Sequence, residues 1–294
     1  MDISFVPPRR VEIGDAAVFA GTTPRAIRHY HDIGLLPEAE QGGDGHSRYG
    51  YDDMIRLLWI RKMAEAEMAL DDIRDVFHPA TGNDSGIEET SSQPEDALAA
   101  EEAALHRRRT AVQRMRAEGG RLDLLCETVA ERLRNLPQGS LRQADLDALL
   151  VSERLFGPLG AALLATRFIA LAAHPELRAE SDHVDAAEAA LDDSVAVDDP
   201  RVSEVAALRH AFEQKLLQTI EEDGLDDADE ALFDSHEDEE THPAPESSDD
   251  AEAKGAEGMS ALEAVGKMPY DFSPARVRCM ALAQELGQAP AAQD

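Results

Sequence analysis

The stretch from Thr23 to Leu36, TPRAIRHYHDIGLL, limits what this chain can fold into more than any other part of it. Thr23 is a good helix N-cap, because its hydroxyl accepts an otherwise unpaired backbone N–H, and Pro24 suits the first helical position. The helix they open carries Arg25, Arg28, His29, Tyr30 and His31 before Gly34 stops it and Leu35-Leu36 returns the chain to a core. A helix this short is marginal alone and must pack on neighbours. Just upstream, Ile13, Ala16, Ala17 and Ala20 share one helical face, and Gly21 closes that helix in the left-handed conformation glycine takes easily. Two short helices across a tight glycine turn make a helix-turn-helix, and the second reads as a DNA recognition helix.

The glycines between Gln41 and Tyr51 mark a hairpin tip whose return strand runs from Ser47 to Tyr51. A hairpin beside a helix-turn-helix is a wing. Arg48 is placed to reach a phosphate or the minor groove, with Tyr49 packed beneath it. Asp52 is the expected cap of the next helix, which has Ile55, Leu58, Trp59 and Met63 on one face and Arg56, Arg61 and Lys62 on or near the other. Leu70 to Phe77 predicts a further helix.

Composition divides the chain into a loose arm (1–10), the winged unit (11–77), an acidic linker (78–96) and one long helix (97–136). On a heptad frame the a positions of that helix are Leu98, Leu105, Val112, Gly119, Cys126 and Leu133. Its d positions are Glu101, Arg108, Met115, Leu122, Val129 and Leu136. Nine of these twelve are apolar, which predicts a dimerisation coiled coil weakened at Gly119-Gly120. Its expected seam is Leu98, Leu105, Val112, Met115, Leu122, Cys126, Val129 and Leu133. A lone amphipathic helix packed on its own domain is the simpler alternative.

Residues 137–223 predict a helical C-terminal domain: a helix over 152–173 that is apolar nearly all round, a short one from Val184 to Leu191, and one introduced by Pro200. Residues 224–258 are acidic and low in complexity, and disorder is expected there. Residues 259–294 form a short helical tail, split by Pro269 and Pro274, that docks on the body or on a partner. The expected fold class is all-α with a small β-wing.

The formal charge of −32 would repel nucleic acid if it were spread evenly. It is not. Residues 9–62 hold eight basic and eight acidic residues, whereas residues 224–258 alone carry −13. DNA binding therefore rests on a few well-placed arginines and is salt-sensitive. The two cysteines, Cys126 and Cys279, form no CxxC motif and no disulfide framework, which fits a reducing, cytoplasmic setting. No cofactor or metal is expected. Leu155 to Ala173 is interrupted by Pro158 and carries Arg167, so a buried helix is expected and not a membrane span. No apolar run of the signal-peptide kind opens the chain. No nucleophile–base motif and no glycine-rich phosphate loop stands out, so an enzyme is not expected.

EIGDAAVFAGTTPRAIRHYHDIGLLPE, SRYGYDDMIRLLWIRKM and LDDIRDVF resemble the DNA-binding domain of MerR-family transcriptional regulators, over about residues 11–77. The helix at 97–136 stands where that family has its antiparallel dimerisation coiled coil. The resemblance implies a homodimer on a two-fold symmetric operator in an over-long promoter spacer. Bending and untwisting that DNA realigns it for RNA polymerase, a form of indirect readout. It also implies DNA contacts from Thr23, Arg25, Arg28, His29 and Tyr30, from Arg48 and Tyr49 of the wing, and from Arg61 and Lys62. Arg28 is expected chiefly as a phosphate clamp, and Tyr30 either touches DNA or packs in the core. Glu67 and Ala69 depart from the family, which often has Gly and then Ser before its fourth helix. Cys126 lies too late, and too far from another cysteine, for the thiolate site of metal-sensing members. The C-terminal body either binds an apolar or cationic small-molecule effector or buttresses the dimer. The competing reading is an acidic helical interaction protein that keeps the fold without specific DNA binding.

Overall fold

Strand β1 (Val11–Glu12) leads directly into α1 (Ile13–Ala20), and α2 (Pro24–Asp32) follows across a three-residue turn. The computed structural model describes residues 7–42, 47–77, 120–241 and 266–288. Gly21 has φ 65°; its N–H bonds Val18 O at 3.2 Å, and the Thr22 N–H bonds Ala17 O at 2.8 Å. This pair of bonds closes a helix through a left-handed residue. Gly34 closes α2 in the same way and delivers Leu35 and Leu36 to the core.

β2 (Glu40–Gln41) and β3 (Ser47–Tyr49) join β1 in an antiparallel sheet of order β1-β3-β2. The wing is thus tied by a third strand, with Val11 opposite Tyr49. α3 (Tyr51–Glu65) starts two residues earlier than an Asp52 cap requires: Gly50 is the cap, and its N–H donates to Asp53 Oδ2 at 2.9 Å. α4 (Leu70–Phe77) then buries Ile73.

The α3–α4 junction explains the Glu67 and Ala69 departures. Among the described residues Glu67 is the non-glycine residue at positive φ, 59°. Its N–H bonds Ala64 O and the Met68 N–H bonds Met63 O, both at 3.0 Å, so Glu67 stands where glycine is favoured. Ala69 O accepts the first α4 bond, from Ile73 N–H, but its side chain offers no cap. A left-handed L-residue costs about 1–2 kcal/mol and a missing hydroxyl cap about 1 kcal/mol. Glu67→Gly and Ala69→Ser should therefore each raise the melting temperature, by roughly 1 kcal/mol of stability. Thermal denaturation followed by circular dichroism checks this; unchanged or lower melting in both variants contradicts the assignment.

A 3-10 turn (Gly120–Leu124) and α5 (Glu127–Leu133) open the second part. The continuous helix expected over 97–136 is thus corrected from residue 120 onward. Gly120 takes φ 80°, the chain breaks at Leu125-Cys126, and the Cys126 N–H turns to Glu153 Oε2 at 2.9 Å. Leu98, Leu105, Val112 and Met115 lie outside the described residues. Val129 and Leu133 are buried in this chain's own core, and Leu122 and Cys126 pack on it, so these four serve intramolecular packing.

α6 (Gln143–Ala173) is the central helix and bends at Gly157, φ 72°. Pro158 lacks a donor and drives the preceding residue out of helical backbone. By length and composition α6 could cross a membrane. However, its Asp145, Glu153, Arg154 and Arg167 are all bonded to other elements, and it touches α3, α5, α7 (Pro175–Ala189), α8 (Pro200–Glu222) and α9 (Leu225–Thr241). It is the core helix of this body. α7 starts at Pro175, well before the expected Val184, because Pro175 supplies a start and Arg178 grips the buried Asp145 with two bonds of 2.9 Å.

Two further expectations are corrected. Leu225–Thr241, read as disordered, forms α9: Leu225 and Leu232 pack on the core, and Asp229 accepts from Arg132 and from the Thr166 hydroxyl, each at 2.7 Å. The arm is not loose at residues 7–10. Pro8 O accepts the Tyr270 N–H at 2.9 Å, and Arg9 pairs with Asp193. The tail helix α10 (Pro274–Gln288) docks on α8, with Ala275, Cys279 and Ala283 in a small core with Val202 and Ala206.

Candidate nucleic-acid interface

α2 is built to present its outer face. The Thr23 hydroxyl accepts the Ala26 N–H at 3.1 Å, Pro24 follows at the first position, and Ile27 alone is fully buried, pinning the helix to α1. That leaves Thr23, Arg25, Arg28 and His29 exposed. Among the described residues Arg25 and Arg28 make no ion pair and no hydrogen bond. Three residues apart, they lie on one side of the helix. Tyr30 is half-buried and packs on the core.

The other expected contacts divide differently. Arg48 faces Glu12 and Glu40 across the sheet and pairs with Glu12 at 3.0 Å. Tyr49 is only 1% exposed; its hydroxyl lies 3.0 Å from His31 Nε2 and ties the wing to α2. Burial raises its phenol pKa above the ordinary value, so the group stays neutral. Tyr49 is therefore a support for the interface and not a contact. The remaining ring nitrogen of His31, Nδ1, is buried without a partner among the described residues.

Arg61 and Lys62 are likewise turned to structural work. Arg61 Nη1 donates to Ala20 O at 2.8 Å, at the C-terminal end of α1, where a cation is favoured. Arg154 of α6 bonds Val18 O and Phe19 O at the same end. Lys62 pairs with Glu153, the residue that also holds Cys126. Trp59 Nε1 donates to Asp147 Oδ1 at 2.6 Å, and Arg121 lies 5.3 Å over the Trp59 ring. The winged unit is thus fastened to α6 through Asp147, Glu153 and Arg154. Pairs this far apart in sequence leave no periodic trace. The one usable signal was Trp59 itself, since a buried indole N–H needs an acceptor.

A capped recognition helix, a preceding helix across a glycine turn and a three-stranded wing define a winged helix-turn-helix of the DNA-binding kind. Residues 11–78 match the MerR HTH family regulatory protein family, and the chain carries a MerR-family domain there. Such a domain is a DNA-binding regulatory module, not a catalytic one. The HTH-type transcriptional activator TipA of Streptomyces coelicolor is 43% identical over 61 residues, 21% of this chain and 24% of that protein. Nodulation protein NolA of Bradyrhizobium elkanii is 34% identical over 73 residues, 25% of this chain and 33% of that protein. The mercuric resistance operon regulatory protein of Bacillus cereus is 33% identical over 64 residues, 22% of this chain and 48% of that protein. The likeness to each relative thus covers less than half of its length. No solved structure matches.

Proposed function

We propose that this chain is a cytoplasmic transcriptional regulator that binds a two-fold symmetric promoter operator as a homodimer and distorts it, aiding or blocking RNA polymerase. The observation that carries this reading is the pair of exposed arginines, Arg25 and Arg28, without a partner among the described residues, on a capped recognition helix. In a chain of net charge −32, two cations left uncompensated on one helix face are available to phosphates and guanine edges. The heptad positions Leu98, Leu105, Val112 and Met115 supply the dimer seam, and the C-terminal body acts as a rigid support for the winged unit and as the place for a small-molecule effector.

A gel-shift titration with DNA from the chain's own promoter region, at two salt concentrations, tests the reading. A specific shift at low salt that weakens steeply at the higher salt is expected. No specific shift at low salt sinks it, and leaves the acidic interaction protein standing. Sedimentation equilibrium tests the dimer independently; a monomer throughout the micromolar range refutes that part.

A further inference from the structure

A cavity of about 750 Å³ opens where the start of α3 and the base of the wing meet α6, α7 and the segment before α10. That volume suits a drug-sized organic molecule. One wall is aromatic. The Tyr51 and Tyr270 rings lie 5.3 Å apart, and Tyr270 and Phe272 stack at 5.0 Å with 24° between their planes. The phenol of Tyr51, pushed up to about 12 mainly by burial, stays neutral and available for stacking. Six of the other eleven lining residues are acidic. Glu38, Asp52, Asp185 and Asp271 have no hydrogen-bond or ion-pair partner among the described residues. The two arginines of the lining are placed away from the four carboxylates: Arg10 pairs with Glu40, and Arg276 lies 4.6 Å over the Phe272 ring and 3.5 Å from the buried Glu188.

We propose that this cavity binds a planar aromatic cation. The Tyr51 and Tyr270 rings receive a flat apolar body and attract its charge, while Phe272, already covered by Arg276, backs Tyr270. The four carboxylates supply the countercharge. A neutral molecule of the same shape gains the stack alone, and an anion meets uncompensated acid. The occupant bridges segments far apart in sequence: Tyr51 at the start of α3, Asp185 on α7, and Tyr270 to Phe272 ahead of the tail helix. Tyr51 lies two residues beyond the wing strand, so binding acts at the joint between the wing and α3. The site gives the effector role of the body a chemical class, but its existence does not depend on DNA binding.

The test uses the full chain without DNA. Proflavine, a planar aromatic cation, is titrated and followed by fluorescence anisotropy, with fluorescein as an anion of similar size. Saturable binding of one proflavine per chain is expected, with no fluorescein binding. Tyr270→Ala, and separately Asp185→Asn with Asp271→Asn, should each weaken proflavine about tenfold or more, that is by about 1.4 kcal/mol. Asp198→Asn with Glu222→Gln, which removes acid outside the cavity, should leave affinity unchanged. Tyr270→Ala also loosens the tail, so the near-isosteric asparagine pair, with its melting curve, keeps the test free of folding effects. Non-saturable binding overturns the proposal, as do cavity variants that bind like the parent. Equal weakening by the outside pair also overturns it, since net charge alone then accounts for the binding.

Discussion

Replacing Arg25 and Arg28 together with alanine is expected to lower affinity for the specific operator about 1,000-fold while leaving the fold intact. The magnitude follows from the interactions removed. Each arginine bound to a base or phosphate is worth about 1–3 kcal/mol. A dimer gives up four of them; even about 1 kcal/mol each sums to roughly 4 kcal/mol, and every 1.4 kcal/mol is tenfold. Stability should hardly move, because both side chains are exposed and have no partner among the described residues, and alanine favours helix at least as well as arginine. The salt dependence should also flatten, by about 0.9 in log–log slope for each phosphate that is no longer neutralised. Anisotropy titrations over a salt series, with melting curves beside them, measure both effects. A folded double variant that binds as tightly as the parent removes α2 from the DNA-binding surface. Lys62→Ala makes an instructive contrast. Lys62 pairs with Glu153, so its removal should appear first in stability and only secondarily in DNA affinity.

The contrast marks where sequence reading works in this chain and where it fails. Local signals were sufficient for α1 and α2 of the winged unit, but not for the Gly50 cap of α3 or for strand β1. Thr23-Pro24 starts a helix and Gly21 and Gly34 stop helices, because each signal acts within a few residues of itself. What a side chain does with its charge is a different matter. Arg25 and Arg61 look equally basic in the sequence, yet one faces open solvent and the other is bonded to Ala20 O. Only the approach of α1 to α3 decides between them. From Leu122 onward the heptad pattern failed for a related reason. Val129 and Leu133 are apolar at the right spacing for a seam, but period alone does not say whether the facing surface belongs to a second copy or to α6, and α6 covers them. The acidic segment after residue 224 misled by composition. Its charge outweighs its few leucines in any average, yet Leu225, Asp229 and Leu232 each find a partner on the body.

Gly21→Ala is expected to destabilise the winged unit by about 2–5 kcal/mol, and the reason is the same close approach that makes Arg61 structural. A Cβ at Gly21 would stand 1.3 Å from Arg61 Nη1 and 2.5 Å from its Cζ. The guanidinium is the end of a flexible side chain and can swing away. Doing so abandons Ala20 O and leaves the end of α1 short of a donor, at a cost of about 1–3 kcal/mol for a group of this kind. The left-handed backbone at φ 65° adds roughly 1–2 kcal/mol for any L-residue. Gly34→Ala provides the reference. Its φ is 70°, but nothing lies within 4 Å of its would-be Cβ, so only the backbone part applies. A double-mutant cycle separates the two contributions. In an Arg61→Ala background, Gly21→Ala should cost no more than Gly34→Ala, because the clash is gone and the hydrogen bond is already absent. Urea unfolding of the four chains measures the coupling, expected at about 1–3 kcal/mol. If Gly21→Ala and Gly34→Ala prove equally costly in the parent, the Arg61 side chain does not restrain the turn between α1 and α2, and Arg61 becomes available again for DNA.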